Sequence, residues 1–198
     1  MGQIWHGITC YRTCRGCSDT SQGLDEVRSR ALQGLSILTT NIQALVSNPE
    51  CTTTQSNVYV GGFIAIRALN LGCYPAIGHL IENQYSARYN VHQGSCSGIL
   101  CARIMAYHYD VSKKHQQSIS KAFGNENVPA YKLVRDLAAT LPEVKSEHDD
   151  VGVTDEMLKE FCEWAFENHV GRYNALCPKE FTSANDVYNM MTKPLADL

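Results

Sequence analysis

Apolar residues recur at steps of three and four along most of this chain, and few stretches alternate strictly. The longest central stripe is Cys96, Leu100, Ile104, Tyr107 and Val111, opened by Gly94 and Ser95. That spacing predicts a helix over Ser95–Ser112, within the stretch Gln93 to Gln117, buried against several others. Before it, Leu24, Ala31, Leu35, Leu38, Ile42 and Leu45 mark a helix from Leu24 to Ser47, a bundle-type seam stopped by Asn48-Pro49. Val58 to Leu71 is strongly apolar around Gly61-Gly62; its β-branched and aromatic residues leave Val58 to Ile66 open between a short strand and a buried helix, and the lack of alternation favours helix, ended by Gly72. Pro75 opens the next helix, which runs to Tyr89 with Ile77, Leu80, Ile81, Gln84 and Tyr85 inward.

After the centre, Pro129 to Leu141 predicts a short helix with Leu133, Val134 and Leu137 facing the core. An acidic loop follows, from Pro142 to Val153. Thr154 then caps a helix over Asp155–Asn168, whose first two residues are acids at the positive end of the helix dipole. Ser183 and Asp186 form a capping-box pattern before a last helix, Ala184–Thr192. The fold class is therefore mainly α: one bundle-like domain of about seven helices with extended N- and C-terminal arms. Residues 1–22 are the N-terminal arm, 23–178 the helical core, and 179–198 a C-terminal arm with a short helix.

Composition adds little to the fold but bears on partners. Hydrophobic residues make up 44% of the 198, and charged residues only 19%, which suggests a surface partly covered by neighbouring copies. The net charge of -3 excludes a broad basic field. Its distribution is uneven: residues 1–112 hold seven Arg, no Lys and six acids, whereas residues 113–198 hold ten bases and fourteen acids. Nine cysteines without an apolar leader at the start indicate a reducing, cytoplasmic setting, with most thiols buried as small hydrophobes. No run approaches a membrane span, while Gly2 after Met1 leaves N-terminal lipidation open, with His6 in place of the usual Ser or Thr.

Three constellations carry chemistry. His6, Cys10, Cys14 and Cys17 offer four soft ligands in twelve residues, enough to close a structural zinc site. The cysteine triplet also resembles the cluster motif of radical S-adenosylmethionine enzymes, whose alternating strands and helices the pattern lacks. Cys96-Ser-Gly-Ile resembles the nucleophile segment of NlpC/P60-type cysteine peptidases, and His169-Val-Gly-Arg-Tyr their base-bearing strand. That resemblance implies Cys96 as nucleophile and His169 as general base. Finally, Arg28, Arg30, Arg67, Arg88, Arg103, Lys113 and Lys114, with tyrosines near several of them, form a candidate phosphate-tracking set for RNA or DNA. His79 reads as a partly buried, satisfied side chain.

These features lead to an expected non-enzymatic, self-assembling role: a homo-oligomeric coat or nucleocapsid-type protein around nucleic acid, with no cofactor or only the zinc. The alternative is a cysteine hydrolase built on Cys96 and His169.

Overall fold

In the computed structural model, residues 21–70 and 76–198 are described, the side chains of residues 21–24 and 68–70 excepted. Eight α-helices and two short 3-10 turns account for their regular structure, and the described residues include no strand. The mainly α class expected from the spacing is what the chain adopts.

The first helix, α1 (Ser21–Ser47), and α2 (Thr52–Asn70) form an antiparallel hairpin. Its turn is held by Cys51 N–H donating to Asn48 O and by the Gln55 side chain donating to Pro49 O at 2.6 Å. Val27, Ala31, Leu35 and Leu38 are the buried stripe of α1. The two backbones touch where small residues meet: a Cβ on Gly34 would lie 2.5 Å from Ala65 N and 2.7 Å from Gly61 O. The pattern placed the second helix at Val58, but it begins six residues earlier, on the threonines 52–54, which the eye reads as loop.

The third helix, α3 (Ile77–Tyr89), turns back through Asn90 in the left-handed region (φ 53°) into α4 (Gln93–Tyr107). Helix α4 is the axis of the molecule and packs on α3, on α5 (Tyr109–Ala122), on α6 (Ala130–Ala139) and on α8 (Ala184–Thr192). Every residue from Cys96 to Met105 is buried. A Cβ on Gly98 would sit 2.3 Å from Lys145 O, so the 142–153 loop rests directly on the helix.

The spacing extends the central helix to Ser112, yet the chain breaks at His108 (φ -97°, ψ 9°). Gln116 on α5 reaches back and donates Nε2 to Met105 O at 2.7 Å, and Ser112 Oγ donates to His108 O at 2.6 Å. Side chains thus take over carbonyls freed by the kink. The seventh helix, α7 (Asp155–Leu176), starts at the Thr154 cap as read, but continues eight residues beyond Asn168. The Ser183–Asp186 capping box forms as expected. From Lys179 onward the chain lies along the core, with Phe181, Val187, Met190, Met191 and Leu198 all buried.

One polar cluster locks these parts. Arg103, 1% exposed, donates to Ile99 O, Ser146 O, Lys193 O and the Glu147 carboxylate, joining α4, the loop and the C-terminal segment. Nearby, His148 bridges Tyr85 Oη (2.9 Å) and Met191 O (2.9 Å). No described helix is long and apolar enough to cross a membrane.

Candidate functional site

The α3–α4 corner gathers His79, Glu82, Asn83, His92 and Gln93 around the turn between the two helices. Asn90, the one described non-glycine residue with positive φ, reverses the chain, and Ser86 fastens the reversal by donating Oγ to Val91 O at 2.7 Å. His92 then caps α4, its Nδ1 accepting from Gly94 N–H at 3.1 Å. Gln93 Nε2 donates to Asn83 Oδ1 at 2.9 Å, which ties the start of α4 to the middle of α3. His79, Glu82 and Asn83 follow at three- and four-residue steps and so share one side of α3. The His79 Nδ1 to Glu82 Oε2 distance is 3.7 Å, with the glutamate 1% exposed.

Beside this corner lies a groove of about 390 Å³, lined by Asn83, Gln84, Ala87, Arg88 and Trp164. The Arg88 guanidinium sits 5.5 Å from the centre of the Trp164 ring, a cation–π contact. Gln84 Oε1 accepts a short hydrogen bond from Tyr173 Oη. His169 packs edge-on to Trp164 with ring centres 4.8 Å apart and stacks towards Tyr173.

Cys96 and His169 are not brought together as a reactive pair. Cys96 is fully buried, its Sγ 3.8 Å from Val91 O, and no hydrogen bond joins it to His169. Burial, with the neighbouring negative charge of Glu82, pushes its thiol up to about 12. A thiol so held is not a nucleophile near neutral pH. The first-turn position of Cys96 favours a thiolate through the helix dipole, but removal from water outweighs it.

The basic residues are spread over five helices. Arg30 pairs with Glu26 at 2.9 Å on α1, and Arg28 lies half-buried beside it. Arg67 is on α2 over Phe63, and Arg88 on α3 over Trp164. Arg103 is an interior strut of α4, and Lys113 and Lys114 are exposed on α5. His6, Cys10, Cys14 and Cys17 lie outside the described residues. Among the described residues no group of three or more His, Cys, Asp or Glu is placed to hold a metal ion.

The family model for the Fe-containing alcohol dehydrogenase family, C-terminal, matches residues 24–193. No curated protein matches the sequence significantly. Among solved structures, the iron-containing alcohol dehydrogenase from Corynebacterium glutamicum superposes with a TM-score of 0.79 at 12% identity, over 98% of this chain and 52% of that one. The maleylacetate reductase from Rhizobium sp. strain MTP-10005 gives 0.80 at 15% identity, over 97% and 50%. The NADH-dependent butanol dehydrogenase A from Thermotoga maritima gives 0.72 at 16%, over 96% and 49%. The chain therefore spans about half the length of these proteins.

This overturns the expected coat or nucleocapsid role and its nucleic-acid binding. It overturns the hydrolase alternative as well, in line with the inert thiol of Cys96. The expectation of no cofactor, or of a structural zinc alone, gives way to the iron of the family's own description. What misled the reading was physical: low surface charge and uneven halves suit a domain that packs on another as well as a subunit that packs on copies. His79 and Glu82 on α3 and His92 at the turn into α4 were not read as one group, because thirteen residues separate the two histidines, a spacing no short motif expresses. With a match over 170 of its 198 residues, the chain belongs to the Fe-containing alcohol dehydrogenase family, in its C-terminal helical part.

Proposed function

We propose that this chain is the helical half of an iron-dependent, nicotinamide-linked oxidoreductase that interconverts an alcohol and its carbonyl. The family match over residues 24–193 carries the reading. A bound dihydronicotinamide would supply the hydride for the carbonyl carbon, with a proton needed to complete the hydroxyl. Iron, when bound, would polarise the carbonyl oxygen as a Lewis acid.

The described residues supply only part of a metal site. His79, with its buried carboxylate neighbour, and His92 are imidazoles of a kind that suits iron. They do not make a set of three, so no step is routed through the metal. What this chain's own residues do is clearer. Gln93 and Asn83 hold the start of α4 and the middle of α3 in fixed relation, and the Trp164–Arg88 groove offers an aromatic wall with a cation beside it. The adjoining α3 and α4 surfaces keep water from the core side of the corner, since Ile77, Ile81, Tyr85, Cys96 and Leu100 are all without exposure.

A reducing, intracellular setting fits the unbridged thiols of Cys51, Cys96 and Cys162. Association with a second copy is supported by the exposed α2 face, where Tyr59 is 75% and Phe63 54% exposed.

The test is anaerobic loading with Fe(II), metal analysis, and NADH oxidation followed at 340 nm with butanal or maleylacetate. Stoichiometric iron retention with carbonyl-dependent NADH oxidation is expected. A protein that retains no iron and oxidises no NADH with either carbonyl overturns the reading.

A further inference from the structure

One face of α5 is polar although part of it is packed into the molecule. Lys113, Gln116, Gln117 and Ser120 stand at i, i+3, i+4 and i+7, so they share one side of the helix. Gln116 is 3% exposed and Ser120 1%. The chain after α5 shelters them: it turns through Gly124 (φ 79°), and Asn125 N–H donates back to Ser120 O at 3.0 Å. Between this loop and the helix lies a cavity of about 370 Å³, with Glu126 and Asn127 on its loop wall. It reaches Tyr109, the first residue after the His108 break, and so lies at the other end of α4 from the α3–α4 corner.

Gln116 lines this cavity with half of its amide unused. Nε2 donates to Met105 O at 2.7 Å and to Ser112 Oγ at 3.1 Å. A carbonyl can only accept, so the amide nitrogen is fixed on that side. Oε1 is buried and has no partner. A buried acceptor in that state calls for a donor from outside the chain. One ordered water would satisfy it, but the cavity has room for about a dozen at ~30 Å³ each. The walls narrow what else fits. Lys113 donates, Glu126 accepts, and Gln117, Asn127 and Ser120 do both. A ligand with a net charge of either sign would meet Lys113 or Glu126 as a like charge. Hydroxyl groups donate and accept at once and carry no charge to desolvate. We propose that the cavity between α5 and the loop of residues 123–129 binds a small uncharged polyol, one hydroxyl of which donates to Gln116 Oε1. The site stands apart from the oxidoreductase reading, since no residue of the α3–α4 corner takes part.

The test titrates the full chain, labelled with ¹³C and ¹⁵N, with D-glucose and with myo-inositol. Glycine and inorganic phosphate are titrated separately, as the zwitterionic and anionic alternatives. The side-chain amide signals of Gln116 report on the site, because a hydrogen bond to Oε1 moves their nitrogen and proton shifts. A saturable shift with at least one polyol is expected, and none with glycine or phosphate. Lys113→Met and Asn127→Ala change exposed side chains and should each weaken binding about 3- to 10-fold, the effect of one lost hydrogen bond. Gln116→Met should abolish binding. Because Nε2 also braces the His108 break, circular dichroism first checks that this variant folds; if it does not, the two exposed variants carry the test. No saturable shift with either polyol, or an affinity that both exposed variants leave unchanged, overturns the proposal. Binding of glycine or phosphate in place of the polyols overturns it too. A cross-peak from the Gln116 amide to bound water that persists in the presence of polyol assigns Oε1 to an ordered water, with the same consequence.

Discussion

Two buried side chains show what individual residues contribute. Arg103 is 1% exposed, while its partner Glu147 is 53% exposed, so the pair is asymmetric. Replacing Arg103 by Met leaves three backbone carbonyls without their donor and is expected to cost about 3–5 kcal/mol in urea unfolding. Replacing Glu147 by Gln removes only the solvated end and should cost under about 1 kcal/mol. Equal losses from both variants would show that the ion pair, and not the carbonyl network, is what matters. His148 makes a pH prediction. Burial drives its imidazole down to about 4 from an ordinary 6.5, with the Arg103 charge adding to the effect against the bond it donates to Met191 O. The folded state therefore holds it neutral where the unfolded chain would be protonated. Between pH 6.5 and 4 the unfolded state binds more protons, so stability is full above 6.5 and is lost as pH falls towards 4. The loss amounts to about 3 kcal/mol. Thermal melts across that range should show the slope in the wild type and a shallower one in His148→Gln. None of this was visible in the sequence, where Arg103 reads as one more surface base and His148 as part of an acidic loop. An arginine among apolar residues at 99, 100, 102, 104 and 105 is a buried arginine only once the loop supplying its carbonyl partners is known to return.

At the level of elements, periodicity made most helices legible because burial of one stripe is a local property of spacing. Thr154, Ser183 and Asp186 marked helix starts that the structure reproduces at the same residues. The failures have a common cause. The break at His108 and the early start of α2 at Thr52 depend on side chains elsewhere, Gln116 in one case and the packing of α1 in the other, so no local pattern records them. Glycines divide in the same way. Gly34 lies where a Cβ would meet the backbone of Ala65 at 2.5 Å, so Gly34→Ala must push α1 from α2. That variant is expected to lose about 1–3 kcal/mol despite the better helix propensity of alanine. Gly171, inside α7, has nothing within 4 Å of its Cβ position. Gly171→Ala should gain about 0.5–1 kcal/mol. Denaturant midpoints for the two variants, moving in opposite directions, check the pair; a stabilised Gly34→Ala would mean the hairpin is looser than its backbone contact requires.

For the whole molecule, the α3–α4 corner that forms the candidate site was hidden for a reason of scale. His79 and His92 are joined by a turn, Gln93 reaches Asn83 ten residues back, and Trp164 arrives from α7 about eighty residues later. Such a site exists only after folding, whereas the Cys96 and His169 segments looked active as isolated fragments. The same dependence on the complete chain applies at its C-terminal end. From Lys179 the segment buries Phe181, Val187, Met190 and Met191, and its backbone accepts from His148 at Met191 O and from Arg103 at Lys193 O. Each of those apolar side chains contributes about 1.5–3 kcal/mol by burial. Four together approach the whole stability of a domain this size, about 5–15 kcal/mol, before the two orphaned donors are counted. A chain ended at Pro178 is therefore expected to keep much of its helical circular dichroism while losing cooperative unfolding and dispersed methyl proton signals, because α1 to α7 retain their local stripes but not the surface that closes over α4. If the shortened chain instead melts in a single sharp transition near that of the intact protein, residues 179–198 are a true arm. The Arg103 and His148 bonds to them would then be consequences of packing and not its cause.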